Sequence, residues 1–141
     1  MAPLVLRFQG GELGDVRHLE AHLCLPLLRP GHIQYRYDLA GGATMDLGCY
    51  AINLARCLAG AEPEVIAARA RLCSPHVDRV MAADLRFPDG RTGLVACSIL
   101  SCILLRSRAL VRGTRGVLRV SGPFHPQFYH RLRVTGERAS W

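Results

Sequence analysis

Hydrophobic and polar residues alternate along most of this chain, and a period of two is typical of β-strands. Seven segments show the alternation. Two of the links between them, Pro-Asp-Gly at 88–90 and Gly-Thr-Arg-Gly at 113–116, have the composition of hairpin turns, so most strands should pair antiparallel. The predicted strands are residues 14–24, 64–73, 77–87, 91–100, 104–113, 116–122 and 128–134.

Residues 44–59, with the sequence TMDLGCYAINLARCLA, have a helical period instead. Thr44 is the expected N-cap, and Gly60 is the expected C-terminal stop. Three small residues of this helix share one face, which suits close packing on a sheet: Gly48, Ala51 and Ala55. One helix on an open, mainly antiparallel sheet of six or seven strands is an α+β domain.

The length of 141 residues suits a single domain with its own core. We expect an N-terminal arm over residues 1–13 and the domain over 14–141. The connection at 25–42 is long for a loop inside a compact domain, and such loops usually have a function.

The predicted helix carries a polar stripe on one side. Its spacings of i, i+4, i+7 and i+11 place four residues on one face: Asp46, Tyr50, Asn53 and Cys57. In a purely structural interpretation, Asp46 complements the helix dipole in the first turn and Tyr50 packs like any amphipathic residue. In a functional interpretation, an acid and a phenol one turn apart form a couple that can handle protons. Spacing alone leaves both open.

The composition of the chain argues against several classes of protein. Half of the residues are hydrophobic, which is typical of globular chains and not of disordered ones. The longest apolar run, residues 94–105, is too short and too interrupted by serines to span a membrane, so we expect it to form buried strands and we expect no membrane partner. We see no secretory signal, so we expect a cytosolic protein whose six scattered cysteines are small buried hydrophobes.

The net charge of +7 raises the question of a nucleic-acid partner. All eighteen basic residues are arginine, and the sequence has no lysine. The arginines are dispersed, and no run of five or six forms. Because nucleic-acid binding needs a concentrated basic stripe with aromatic platforms, we expect solvated sheet faces and no nucleic-acid partner.

Alternation in the first strand places four possible metal ligands on one face: His18, Glu20, His22 and Cys24. A metal site is the first interpretation and a polar sheet face is the second. We favour the polar face and expect no metal, because a closed ligand set and the Pro-Cys-x-x-Cys of zinc deaminases are both missing. No Gly-x-Ser-x-Gly supports a serine nucleophile.

The run LAGGATMDLGCYAINLARCLAG, preceded by YRYD, resembles the glycine-rich segment and helix that open the C-terminal domain of the Gfo/Idh/MocA oxidoreductases. The Gly-Gly-Ala-x-x-Asp-x-Gly-x-Tyr pattern is most similar to the dimeric dihydrodiol dehydrogenase branch of that family. The stretches VDRVMAADLRFPDGRTGLVACSI and RALVRGTRGVLRV are similar to the family's sheet strands, so the resemblance covers residues 10–134.

The resemblance implies an NAD(P)-dependent oxidoreductase acting on a sugar, polyol or dihydrodiol-like C–OH or C=O group. It implies that Tyr50 exchanges a proton with the substrate and that Asp46 shapes its environment. Asn53 and Arg36 are the implied substrate-binding candidates. It also implies that the open sheet mediates homo-oligomerisation.

Two features of the family's pattern are missing from this sequence. No Gly-x-Gly-x-x-Gly turn follows a strand, so we expect no Rossmann domain and no cofactor-binding residue here. The family's Glu-Lys-Pro lysine has no counterpart, and a free tyrosine, with a pKa near 10, needs a nearby cation to shuttle protons at neutral pH. We therefore expect a C-terminally truncated domain that uses NAD or NADP only with a Rossmann domain from another chain, and that is inactive alone.

Three hypotheses follow. The first is a substrate and oligomerisation domain of an NAD(P)-dependent oxidoreductase, with a small-molecule substrate and a separate Rossmann partner chain. The second is a noncatalytic dimerisation or scaffold module that retains the sheet. The third, a basic nucleic-acid-binding domain, has the least support in the sequence.

Overall fold

A computed structural model describes residues 11–27, 29, 31–100 and 105–136. Within these residues, seven strands form one sheet with the order β2-β3-β4-β1-β5-β6-β7. Their bounds are β1 Val16–Cys24, β2 Glu64–Ser74, β3 Val77–Arg86, β4 Thr92–Ser98, β5 Arg106–Gly113, β6 Gly116–Ser121 and β7 Arg131–Gly136. The predicted seven strands and the α+β class are therefore confirmed. The predicted strand pair at 94–105 is confirmed only up to Ser98, and residues 101–104 lie outside the described part.

The sheet is mainly antiparallel, as the short links predict, with one exception. β1 pairs in parallel with β4 and antiparallel with β5. Because β1 comes first in the chain and lies at the centre of the sheet, both of its neighbours are distant in sequence. No local pattern could have predicted these two pairings.

The helix begins with a π-helical turn, Thr44–Gly48, and continues as α1, Cys49–Ala59. Gly60 ends it in the left-handed conformation at φ 65°, and its N–H donates to the Arg56 carbonyl at 2.8 Å. The predicted length and C-terminal stop are confirmed. A π-helical turn holds one extra residue, and such turns often occur at functional sites.

Charged side chains from β3 and from the hairpin that follows it stabilise the two ends of this helix. The backbone N–H and the hydroxyl of Thr44 both donate to Asp78 Oδ2, at 2.9 and 2.7 Å. At the other end, Arg91 Nη2 donates to the Ala59 carbonyl at 2.7 Å. An anion at the N-terminus and a cation at the C-terminus complement the helix dipole. The prediction of Thr44 as N-cap is wrong, because Ala43 holds that position and the accepting group comes from β3.

The helix covers one face of the sheet, here called the helix face, through its small residues. Gly48 and Ala51 are buried, and a side-chain carbon at Gly48 would lie 3.1 Å from Cys97 Sγ. The core includes Leu19, Leu23 and Val95 beneath the helix, each 2% exposed or less. The opposite face of the sheet, here called the open face, has no described element packed on it.

The predicted burial of the cysteines is only partly correct. Cys97 is buried, and burial raises the pKa of its thiol to about 12, so it stays protonated as a packing residue. Cys24 is half-buried, whereas three others are exposed because they lie on the outer side of α1 or on the edge strand β2: Cys49, Cys57 and Cys73. Cys102 lies outside the described residues.

Among the described residues, no helix combines the length and the apolar character needed to cross a lipid bilayer.

Candidate functional site

Tyr50 lies on the outer side of α1 and is 59% exposed. The helix presents it to solvent because the opposite side, with Gly48, Ala51 and Ala55, is packed on the sheet. Among the residues that the structure describes, no side chain forms a hydrogen bond to the Tyr50 hydroxyl. The phenol is therefore available to a molecule that approaches from outside this domain.

Asp46 lies within the π-helical turn, where it is half-buried. Its backbone N–H donates to the Gly42 carbonyl at 3.0 Å, and its own carbonyl accepts from the Cys49 thiol at 3.8 Å. In the described part of the chain its carboxylate forms no ion pair. Among the described residues, neither the Asp46 carboxylate nor the Tyr50 hydroxyl forms an ion pair or a hydrogen bond with another side chain.

The glycine pair before the helix has a structural reason. A side-chain carbon on Gly41 would lie 2.6 Å from the Arg36 carbonyl oxygen, because the loop folds back on itself there. Gly42 has φ 124° and lies against the Asp78 carboxylate that stabilises the helix N-terminus. The Gly-Gly-Ala motif therefore holds the loop and the start of the helix in place.

Arg36 and Asn53 lie on different elements of the chain, the first in a loop and the second on α1. Arg36 lies in the loop between two short 3₁₀ turns, and its guanidinium binds the Asp38 carboxylate at 2.5 and 3.2 Å. That hydrogen bond raises the pKa of Arg36 and lowers the pKa of Asp38. Asn53 lies one turn after Tyr50 on α1 and borders a depression of about 330 Å³ near the helix C-terminus. Substrate contact by Arg36 would require it to exchange Asp38 for another acceptor.

A second set of polar side chains, centred on Glu20 of β1, lies on the open face, as the alternation in this strand predicts. Glu20 accepts from His22 Nε2 at 3.1 Å and faces His18 Nε2 at 3.5 Å. Arg108 and Arg112 of the neighbouring strand approach the same carboxylate at 3.9 and 4.0 Å. We call these five residues the Glu20 cluster. Within the described ranges, no group of three or more His, Cys, Asp or Glu side chains is arranged to hold a metal.

The Glu20 cluster makes stability depend on pH. Burial lowers the pKa of His22, although its bond to Glu20 opposes the change. Burial also raises the pKa of Glu20, but the hydrogen bond from His22 and the charges of His22, His18 and Arg108 outweigh it, so this pKa is lowered overall. Both groups bind protons more readily in the unfolded chain, so acid favours unfolding.

We therefore expect the free energy of unfolding to fall as the pH drops. The contribution of neutral His22 is present above its unfolded pKa of 6.5 and is lost below it; that of ionised Glu20 is present above 4.5 and is lost as the pH falls through its lowered pKa. Urea unfolding at pH 7.5, 6.0 and 5.0 measures this. His22→Asn should flatten the change between pH 7.5 and 5.0, whereas His32→Asn in an exposed loop should not. An unchanged slope in His22→Asn would contradict the assignment.

Comparison with known proteins identifies the domain. The family model "GFO/IDH/MocA C-terminal domain" matches residues 7–119. Mouse trans-1,2-dihydrobenzene-1,2-diol dehydrogenase is 34% identical over 131 residues, which cover 91% of this chain and 37% of that protein. The dTDP-3,4-didehydro-2,6-dideoxy-α-D-glucose 3-reductase of Streptomyces antibioticus is 32% identical over 127 residues, covering 88% and 38%.

The solved structures agree on the fold. The crystal structure of KijD10, a 3-ketoreductase from Actinomadura kijaniata in complex with NADP and TDP-benzene, matches with a TM-score of 0.83 at 24% identity. The match covers 96% of this chain and 45% of that chain. The chain thus spans about two fifths of the length of the curated relatives named above. These findings show that the chain belongs to the Gfo/Idh/MocA oxidoreductase family and contains its C-terminal domain.

Proposed function

We propose that this domain binds the substrate of an NAD(P)-dependent oxidoreductase and supplies the proton-transferring group, Tyr50. The observation that supports the proposal is the 59% exposure of Tyr50 on a helix fixed to the sheet, inside the motif by which the sequence resembles the family. The Tyr50 hydroxyl gives its proton to the substrate oxygen when a ketone is reduced and becomes a phenolate, and in the reverse direction the phenolate takes the proton of the alcohol as it is oxidised. Asp46, half-buried one turn before it, fixes the local electrostatics.

The names of two relatives support a proposal for the substrate class. One relative is named for a cyclic dihydrodiol and the other for a keto sugar nucleotide, so both names describe a secondary alcohol or a ketone on a six-membered ring. We propose that this chain acts on a ring of that kind, a sugar, polyol or dihydrodiol. Arg36 and Asn53 are the residues proposed to contact its hydroxyl groups.

The described residues do not fit a dinucleotide by themselves. Dinucleotide phosphates bind at a glycine turn that leads into a helix N-terminus with free N–H groups. The N-terminus of the helix in this structure is instead occupied by the Asp78 carboxylate, which would repel a phosphate. We propose that NAD or NADP is held by a Rossmann domain outside these residues, and we assign this chain no part of the electron transfer.

A chimera tests the proposal. In this chimera, the present chain replaces the segment of the mouse dehydrogenase that it matches, and all other residues are those of the mouse protein. Turnover is measured from the change in nicotinamide absorbance. We expect turnover with a dihydrodiol or a ring polyol. A folded chimera that binds nicotinamide but turns over none of a panel of ring alcohols and ketones would support the alternative, a noncatalytic dimerisation or scaffold module.

We also propose that the domain forms homo-oligomers through the part of its open face formed by β3 and β4. There β3 and β4 carry four half-buried apolar residues with no described partner: Val80, Ala82, Leu94 and Ala96. Burying such a strip against a second copy removes apolar surface from water. Ala96→Glu should convert the oligomer into monomers in light scattering, whereas Ala68→Glu, exposed and pointing to the helix face, should not. A wild-type chain that is monomeric at high concentration would contradict this.

A further inference from the structure

Six arginines of the last three strands lie together on the open face. Residues directly opposite each other in register share a face, and β5, β6 and β7 are in antiparallel register. Arg108 lies opposite His22 on one side and Ser121 on the other, and Ser121 lies opposite Arg131. We call the whole group the arginine face: Arg106, Arg108, Arg112, Arg119, Arg131 and Arg133.

Folding creates this patch from dispersed residues. Along the chain the six arginines spread over 28 positions with apolar residues between them. In the sheet, neighbouring strands lie about 4.8 Å apart and residues i and i+2 lie about 6.6 Å apart. The stripe that was missing from the sequence is therefore present in the structure.

The arginine face is short of negative charge. Strands β5, β6 and β7 contain no acidic residue. Arg108 and Arg112 share Glu20, whereas the other four arginines have no carboxylate within 4.0 Å among the described residues. Arg119 lies directly opposite Arg133, and like charges in that position destabilise a sheet. The isolated domain bears this repulsion, which a bound polyanion would relieve.

Exposed aromatic rings border the arginine face. Phe128 is 83% exposed and Tyr129 is 57% exposed. Both rings line a cavity of about 590 Å³ together with Arg106 and Arg108. Flat apolar rings beside guanidinium groups can stack the bases of an unpaired strand while the arginines bind its phosphates.

We propose that the arginine face binds single-stranded nucleic acid, with phosphates on the guanidiniums and bases stacked on Phe128 and Tyr129. A strand fits the surface better than other polyanions do. An acidic peptide would use the arginines and leave the rings exposed. A duplex keeps its bases stacked inside, out of reach of Phe128. β1 separates the arginine face from the apolar strip of β3 and β4, so this interaction and the proposed self-association are assigned to different strands of the open face.

The test measures binding of the 141-residue chain to a fluorescein-labelled 20-nucleotide oligo(U) by fluorescence anisotropy, from 50 to 200 mM NaCl. Each phosphate contact on a single strand contributes about −0.7 to the slope of log K against log salt. Six contacts predict a slope near −4 and an affinity loss of roughly 300-fold over this range. No binding at 50 mM NaCl would overturn the proposal.

Three variants locate the site. Arg119→Gln with Arg133→Gln should reduce the slope by about 1.4, and should raise the melting temperature because a like-charge pair is removed. Arg69→Gln with Arg71→Gln makes the same charge change on β2, at the far edge of the sheet, and should leave the slope nearly unchanged. Phe128→Ala should weaken binding by at least about fivefold, as expected for the loss of one stacked base.

Other outcomes would overturn the proposal. If the double variant on β2 and the double variant on β6 and β7 lost the same affinity for oligo(U), the strand would be attracted by the net charge of the protein alone. Equal binding of oligo(U), polyglutamate and vesicles containing phosphatidylserine, with no effect of Phe128→Ala, would mean a general polyanion surface. Tighter binding of a duplex than of the single strand would exclude the assigned role of the aromatic rings.

Discussion

Replacing Tyr50 with Phe should lower kcat of the dehydrogenase chimera by roughly 10² to 10⁴, the range that a positioned proton-transfer group usually contributes. KM should change little, because the hydroxyl acts on the reacting oxygen and the ring remains. Since Tyr50 is 59% exposed and the substitution removes only a hydroxyl, the free energy of unfolding should change by less than about 0.5 kcal/mol. Steady-state kinetics with a ring alcohol, together with the thermal melting temperature, measure both quantities.

Tyr129→Phe is the matched control, because Tyr129 is 57% exposed and lines a cavity to which no residue of α1 contributes. Its turnover should equal that of the parent chimera. If Tyr50→Phe turns over as fast as the parent at every pH, the proton role of Tyr50 is wrong. In that case the polar stripe on α1 would have the structural interpretation that the sequence left open.

The second large effect is a loss of stability when a buried side chain of the helix is shortened. Leu54 is 4% exposed and lies on the buried side of α1, within the core cluster that includes Leu19 and Ala21 of β1. Leu54→Ala should reduce the free energy of unfolding by about 2 to 5 kcal/mol, because it removes buried methyl groups and leaves a cavity. For a domain of this size the melting temperature should fall by roughly 8 to 20 °C. Urea unfolding measures the free energy of unfolding, and its dependence on urea concentration should be the same in the variant and the parent.

Met45 provides the comparison on the same helix. It is 61% exposed, so Met45→Ala should change the free energy of unfolding by less than about 0.5 kcal/mol. Equal losses from the two substitutions would mean that the helix does not pack on the sheet as described. The orientation of Tyr50, which depends on that packing, would then have no support.

The sequence predicted most of the fold because strand and helix periods are local properties. The seven alternating segments correspond to the seven strands. Gly60 ends the helix because glycine adopts the left-handed conformation without strain. The helical spacing also placed Tyr50 and Asn53 on the exposed side. Alternation placed His18, Glu20 and His22 on one face of β1 as well.

The N-terminal cap shows where local reasoning fails. Thr44 has the right chemistry for an N-cap, but its hydroxyl donates to Asp78, which is 34 residues away. Arg91 reaches the other end of the helix over 32 residues. Nothing near the helix in sequence indicates either partner. Asp78 at the start of β3 and Arg91 in the hairpin after β3 were both visible in the sequence. Their role could be recognised only once the helix was known to lie across these strands.

Periodicity and glycine chemistry, read from the sequence alone, determined which segments are strands, where the helix runs and that Tyr50 and Asn53 lie on its exposed side. Only the tertiary structure decided the central place of β1, the charges that hold both helix ends and the gathering of six arginines on one face. The physical reason is the range of the interactions. Backbone conformation and side-chain alternation act over a few residues, whereas strand order and register bring together charges that are far apart along the chain.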